Sequence, residues 1–389
     1  MKTSTRCVQL GRGNDPFGAI APPIYQTATF EQPTATEFGE YDYTRSGNPT
    51  RTLLEQQLAD LEDARYACAF ASGMAALTAL TRIVKPGEEI VAGDDLYGGT
   101  VRLLDRISSH HNIRVTYVDT TNPDVLRQAV SPQTRLILVE TPSNPLFRIS
   151  DIRQLSLIAQ AAGAYLAVDN SMMSPLFQRP LNLGAAVVVH SATKFLCGHS
   201  DVTAGALITN DPALHKQFAF QQNAEGAGLS PFESWLLLRG LKTLALRVER
   251  QNASAAKVAQ FLQAHGEVSQ VFYPGLPNHP GREIHAQQAE GDGAVVSFTT
   301  GDDKLSSDIV ESTSLFKVAV SFGSVASTIS LPCRMSHASI PAALRDRLAP
   351  PSDLVRLSVG IEDVDDLLED LAQAFAIAAE RKLALAFDF

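Results

Sequence analysis

Two short stretches carry residue types that could do chemistry together. Leu166-Ala167-Val168-Asp169-Asn170 delivers a carboxylate, and Val187-Val188-Val189-His190 runs into Ser191-Ala192-Thr193-Lys194, which delivers two hydroxyls and an amine. Both runs are apolar, rich in β-branched residues and cut off sharply by polar groups, which predicts two buried parallel strands. In an open α/β sheet, ligands sit outside the C-terminal ends of such strands. An acid, an amine and hydroxyls meeting there suit pyridoxal phosphate. The amine of Lys194 would make a Schiff base, Asp169 would hold the pyridinium proton, and Ser191 and Thr193 would bind phosphate. Taken singly, a lysine after a strand is a solvated side chain and a strand-end Asp caps the next helix. The conjunction is what carries the reading.

The elements around these two strands can be placed in chain order. Residues 1–48 show little periodicity, are punctuated by Pro16, Pro22, Pro23 and Pro33, and read as an arm laid on another surface. The arm ends at Tyr43 and Arg45, the latter a planar fork suited to phosphate oxygens. Helix is expected from about residue 50, with Leu53, Leu54, Leu58 and Leu61 on one face. A strand over 66–70 leads through Ser72 to a helix opening at Gly73-Met74, where free backbone N–H groups and the helix dipole invite a phosphate. A strand over 89–92 leads to Tyr97-Gly98-Gly99, which frees the phenol to face a flat ligand. Short strands are expected at 115–118, at 136–139 before Pro142-Ser143-Asn144-Pro145, and at 205–209. Helix is expected over 152–162, and a long helix over 232–246 carries Trp235, the only Trp, with helix continuing, broken, to about residue 263. The alternation of strand and helix predicts a mostly parallel sheet wrapped by helices. Beyond about residue 245 a smaller α/β unit is expected, with an antiparallel sheet built from strands at 294–299, 316–321 and 354–359, and a closing helix over 364–379. Arg356 lies in the last of those strands, pointing opposite to its apolar neighbours.

Asp169-Asn170, Ser191-Ala192-Thr193-Lys194 and Tyr43-Thr44-Arg45-Ser46-Gly47 together resemble the transsulfuration (Cys/Met metabolism) family of pyridoxal-phosphate enzymes, over about residues 25–371. The resemblance implies fold type I (aspartate aminotransferase-like): an N-terminal arm (1–48), a cofactor-binding domain (49–245) and a C-terminal domain (246–389). It implies that Gly73 and Met74 bind phosphate through backbone N–H groups and that Tyr97 stacks on the cofactor and helps move protons. It implies that Asn144, Ser321 and Arg356 receive the substrate, Arg356 by forking onto its α-carboxylate. It also implies a homotetramer, a dimer of dimers, in which Tyr43 and Arg45 reach the cofactor phosphate of the neighbouring subunit.

Within the family, two stretches resemble the plant-type β-lyase branch: Asn223-Ala224-Glu225-Gly226 through Arg247, and Ala319-Val320-Ser321-Phe322-Gly323 through Ser336-His337-Ala338-Ser339-Ile340-Pro341. Many γ-synthases and γ-lyases of the family have a Glu where this chain has Val320. Methionine γ-lyases can share Ala-Val-Ser, but resemble one another in a Cys where this chain has Gly99. The implied reaction is β-cleavage of L-cystathionine to homocysteine, pyruvate and ammonia, as in methionine biosynthesis. Methionine γ-lyase, cystathionine γ-lyase and cystathionine γ-synthase activities remain as alternatives.

Composition bounds the rest. The chain has 389 residues, 45% hydrophobic, with a formal net charge of −10, which gives no basic face for nucleic acid. No apolar run of about 18 residues predicts a membrane span, and residues 1–15 have no apolar signal core, so a cytoplasmic protein is expected. The four cysteines form no C-x-x-C pair and the histidines no H-E-x-x-H, so neither a disulfide framework nor a metal site is expected. A rival from another class exists, because Ser191-Ala192-Thr193-Lys194 also reads as the S-x-x-K of serine acylases. Its partner motifs fail: Ser200-Asp201 is followed by Val202, and Lys242-Thr243 by Leu244.

Overall fold

The computed structural model describes residues 1–9, 15, 17–338, 340 and 342–387. Pro16, Ser339 and Pro341, which entered the sequence reading, lie outside the described residues. Seven strands form the larger sheet: β1 (Tyr66–Phe70), β2 (Glu89–Gly93), β3 (Arg114–Val118), β4 (Thr134–Glu140), β5 (Tyr165–Asp169), β6 (Val187–His190) and β7 (Gly205–Thr209). Their spatial order is β1-β7-β6-β5-β4-β2-β3. Only β7 runs against its neighbours, β1 and β6; the other pairs are parallel. The sheet is buried on both faces, which explains why its strands read as continuous apolar runs. In β4, Leu136 and Leu138 join one core layer while Ile137 and Val139 join the layer under helix Ile152–Ala162.

Register at the sheet edge decides what meets what. Glu140 pairs with Asp169, and Asp169 with Val189, so these three strands end nearly level and present Glu140, Asp169 and Val189 to one place. Helix Pro49–Leu61 starts where Asn48 accepts the Thr50 N–H at 3.0 Å and Pro49 supplies the first helical φ.

The smaller sheet contains β8 (Gln270–Phe272), β9 (Val295–Thr299), β10 (Lys317–Val318), β11 (Thr328–Ser330) and β12 (Val355–Ser358), in the order β10-β11-β12-β9-β8. It is antiparallel except for the β10–β11 pair, which is parallel. Four expectations are corrected here. The strand expected over 316–321 shrinks to Lys317–Val318, because Ser321 leaves extended backbone with φ +81°. The helix expected unbroken over 232–246 is interrupted after Leu241, giving Pro231–Leu241 and Leu244–Ala264, the second ending close to the expected limit of about 263. The last helix runs on to Phe387. The arm is not wholly irregular, since Thr3–Val8 is helical. Among the described residues no helix is long and apolar enough to cross a membrane.

Candidate active site

A cavity of about 400 Å³ opens at the level strand ends of the larger sheet. It is lined by Gly73, Met74, Tyr97, Asn144, Asp169, Ser191, Thr193, Lys194, Ser321 and Arg356. Ten of the residues singled out from sequence therefore meet, although they are spread over nearly 300 positions of chain. Tyr43 and Arg45 do not join them. Tyr43 is exposed, and Arg45 leans on the Tyr43 ring while its Nη1 donates to the Asn223 carbonyl at 3.4 Å.

Lys194 sits in the turn after β6, where its N–H donates to the Ser191 carbonyl. Its Nζ donates to Ser321 Oγ at 2.6 Å and lies 5.0 Å from the Phe322 ring centre. Burial, with the Arg356 guanidinium as second cause, lowers its pKa to about 8, against the pull of Asp169 and Glu140. Asp169 takes the Ser171 N–H on Oδ1 at 2.9 Å, and burial pushes its carboxyl above the usual range. Behind it, Asn170 Nδ2 and His190 Nε2 both bond Glu62 Oε1, at 3.0 and 2.6 Å, which ties the ends of β5 and β6 together.

Arg356 is 2% exposed, and its Nη1 and Nη2 donate to Asn144 Oδ1 at 2.8 Å and to the Ser321 carbonyl at 2.9 Å. The left-handed backbone of Ser321 aims its carbonyl at Arg356 while its hydroxyl meets Lys194. A non-glycine residue held there is strained, as residues at functional sites often are.

At the far side, helix Gly73–Thr81 begins against the cavity. Ser72 Oγ caps the Ala75 N–H at 3.0 Å, and helix geometry leaves the N–H groups of Gly73 and Met74 without an intrahelical partner. A side chain on Gly73 would meet Ser191 Cβ at 3.0 Å, so glycine lets the turn press against that strand end. Thr193 Oγ1 is tied to the backbone of Ala204, donating to its carbonyl and accepting its N–H.

Sequence reasoning missed Glu140. It faces the cavity at the end of β4, accepts the Tyr97 N–H at 3.1 Å, and is pushed well above the usual carboxylate range by burial and then by Asp169. Its one trace in sequence is a carboxylate at the end of an expected strand; the register that sets it level with Asp169 is seen only in the structure. Phe322 and Arg102 also line the cavity without having been singled out.

The residues present fit pyridoxal phosphate. A buried amine of lowered pKa, a carboxyl on the neighbouring strand and a row of helix N–H groups share one cavity of suitable size, and each is matched to a different part of that molecule.

Comparison with known proteins agrees. A profile of the family described as "Cys/Met metabolism PLP-dependent enzyme" matches residues 4–376. The chloroplastic cystathionine β-lyase of Arabidopsis thaliana is 55% identical over 372 residues, covering 96% of this chain and 80% of that one. The cystathionine β-lyase of Neurospora crassa is 50% identical over 366 residues, covering 94% and 80%. Among solved structures, the cystathionine γ-lyase of Lactobacillus plantarum complexed with L-serine superposes with a TM-score of 0.95 at 40% identity, covering 97% of this chain and all of that one. The chain belongs to the Cys/Met metabolism family of enzymes that depend on pyridoxal 5'-phosphate.

Proposed function

We propose that this protein is a cystathionine β-lyase, a carbon–sulfur lyase that converts L-cystathionine and water to homocysteine, pyruvate and ammonia in methionine biosynthesis. The observation that carries the β-specific part is Val320, an exposed apolar side chain at the cavity wall. It offers no acid to hold the distal ammonium of a substrate turned for γ-chemistry. The similarity to β-lyases of plant and fungal origin supports the same choice. The γ-lyase likeness keeps γ-cleavage as the second reading.

When bound, pyridoxal phosphate supplies an aldehyde for an amine and a ring that draws charge from the substrate's Cα. The chain's residues do the rest. Gly73 and Met74 N–H groups, with Ser191 and Thr193, hold the phosphate. Asp169 holds the proton on the ring nitrogen. Arg356 would fork onto the substrate α-carboxylate with its remaining N–H groups, while Asn144 and Ser321 keep the guanidinium in plane. Lys194 Nζ would take the Cα proton, and Tyr97 would relay protons at the cavity mouth. The Cβ–S bond then breaks with the sulfur leaving as thiolate, far more readily than an oxygen would.

Further parts of the reading are the division into 1–48, 49–245 and 246–389, a tetramer built of dimers, and a cytoplasmic location. Exposed Phe17, Ile20 and Phe38 on the arm support burial against a neighbour, with Tyr43 and Arg45 completing the neighbour's phosphate site. All four cysteines are free thiols, as a reducing compartment requires. The deciding experiment is product analysis with L-cystathionine. Pyruvate with homocysteine is expected; 2-oxobutyrate with cysteine would replace the β-lyase assignment by the γ-lyase one.

A further inference from the structure

Helix Leu244–Ala264 bonds, through one face, backbone next to Lys194 and backbone next to Ser321 and Arg356. Arg247 is 4% exposed. Its Nη1 donates to the Phe195 carbonyl at 2.8 Å, its Nη2 to the carbonyls of Gly240 at 3.0 Å and Leu196 at 3.4 Å, and its Nε to Thr243 Oγ1 at 3.1 Å. Every acceptor is neutral. Phe195 and Leu196 are the two residues after Lys194. One turn further, Gln251 is fully buried, and its Nε2 donates to the carbonyls of Ser324 at 2.7 Å and Val359 at 3.0 Å. Ser324 lies three residues after Ser321, and Val359 three after Arg356.

The two groups of carbonyls also interlock. The Val325 N–H donates to the Gly198 carbonyl at 2.9 Å, and the Gly323 N–H to Ser358 Oγ at 2.8 Å. A Cβ on Gly323 would meet the Phe195 nitrogen at 2.7 Å, and one on Gly198 would meet Arg247 Nη1 at 2.0 Å. Both glycines have positive φ, +83° and +74°, so the loops close on each other and on the guanidinium only with hydrogen at those positions.

A buried cation without a carboxylate partner is costly, and an apolar residue of similar volume commonly packs as well or better. What such a residue cannot do is hold three carbonyls in fixed directions from one planar fork. We propose that Arg247 and Gln251 are positioning residues that set the spacing between the Lys194 amine and the Arg356 guanidinium. Arg247 fixes the turn that carries the amine, and Gln251 fixes the loop and strand that carry Ser321 and Arg356. The proposal rests on the reading of Lys194 as the cofactor amine and Arg356 as the carboxylate anchor. Its consequence is a division of labour between two residues on adjacent turns of one helix: loss of Arg247 disturbs proton transfer, and loss of Gln251 disturbs substrate capture.

The test uses the purified holoenzyme and the volume-matched variants Arg247→Met and Gln251→Met. Kinetics on L-cystathionine are normalised to the cofactor that borohydride fixes on Lys194, and the visible band of the bound cofactor is titrated with pH. For Arg247→Met, kcat should fall on the order of 100-fold, the cost of misplacing a reacting group by about an ångström. The pH at which the band changes should move with it. For Gln251→Met, KM should rise about tenfold, as loss of one carboxylate bond would give, with the band unmoved. If Arg247→Met does not fold, Arg247→Lys keeps the cation, loses the fork and carries the same readout. Variants that lose only thermal stability, with kcat, KM and band titration per bound cofactor unchanged, would overturn the positioning role while leaving the cofactor assignment intact. Failure of borohydride to fix cofactor on Lys194 in the unmodified enzyme would overturn both.

Discussion

Lys194 stands where opposing effects nearly balance. Burial and Arg356 push its proton off, while Asp169 and Glu140 hold it on, and the outcome is a pKa of about 8 against an ordinary 10.5. Below pH 8 the cofactor-free fold must carry a buried ammonium, so the shift costs stability there; that cost is relieved as pH rises from about 8 towards 10.5, where the unfolded chain binds the proton and the folded chain does not. The rate at which cofactor-free protein captures an added aldehyde on Lys194 should therefore rise with pH through a midpoint near 8 and level off above it. Arg356→Gln should move that inflection upwards, and an unmoved inflection would show that Arg356 does not act on the amine. The chemistry at this scale was legible because amine, acid and hydroxyls stand at the ends of unmistakable strands. Glu140 was not. A carboxylate at a strand end looks the same in sequence whether it faces solvent or a neighbouring acid, and only the register with Asp169 distinguishes the two. The task of Arg247 was equally hidden, because its acceptors are backbone carbonyls, which leave no trace in residue type.

Among the elements, the turn from β1 into helix Gly73–Thr81 shows how local structure serves the site. Ser72 caps the helix, and β7 crosses so close behind it that a Cβ on Gly205 would meet the Ser72 carbonyl at 2.2 Å. Ser72→Ala should cost about 1 kcal/mol in urea unfolding, as loss of an N-cap does, and should weaken cofactor retention in equilibrium dialysis because the helix N–H groups lose their fixed direction. Retention unchanged in a destabilised variant would mean that the helix end takes no part in holding phosphate. Long buried strands were legible from their apolar runs. β8 and β11 were not, since three residues each, Gln270–Phe272 and Thr328–Ser330, are too few to show a period. The strand expected to reach Ser321 stops early for a related reason: sequence shows β-propensity at Val318 and Val320, but not the left-handed turn at Ser321 that the site imposes.

For the whole molecule, the residues that sequence assigned to one site divide into a group that meets in one chain and a pair, Tyr43 and Arg45, that does not. If that pair serves a second subunit, refolding a mixture of Lys194→Ala and Arg45→Ala chains should restore roughly a quarter of native activity. Half of randomly paired dimers are hybrids, and each hybrid has one intact site. No recovery, with dimers present by light scattering, would place the pair's role within its own chain. The sheet order has one more effect, on how the chain is made. Among the strands of the sheet β1 pairs with β7 alone, Tyr66 opposite Thr209 and Phe70 opposite Gly205, and its other edge meets chain only at an isolated bridge from Phe70 to Gly228, later still in sequence. Synthesis proceeds from the N-terminus, and pairings between distant segments form late. On the ribosome, then, the first strand to emerge waits with a bare edge until most of the larger sheet has followed it out, so the nascent protein is most vulnerable to aggregation before residue 209 has left the exit tunnel.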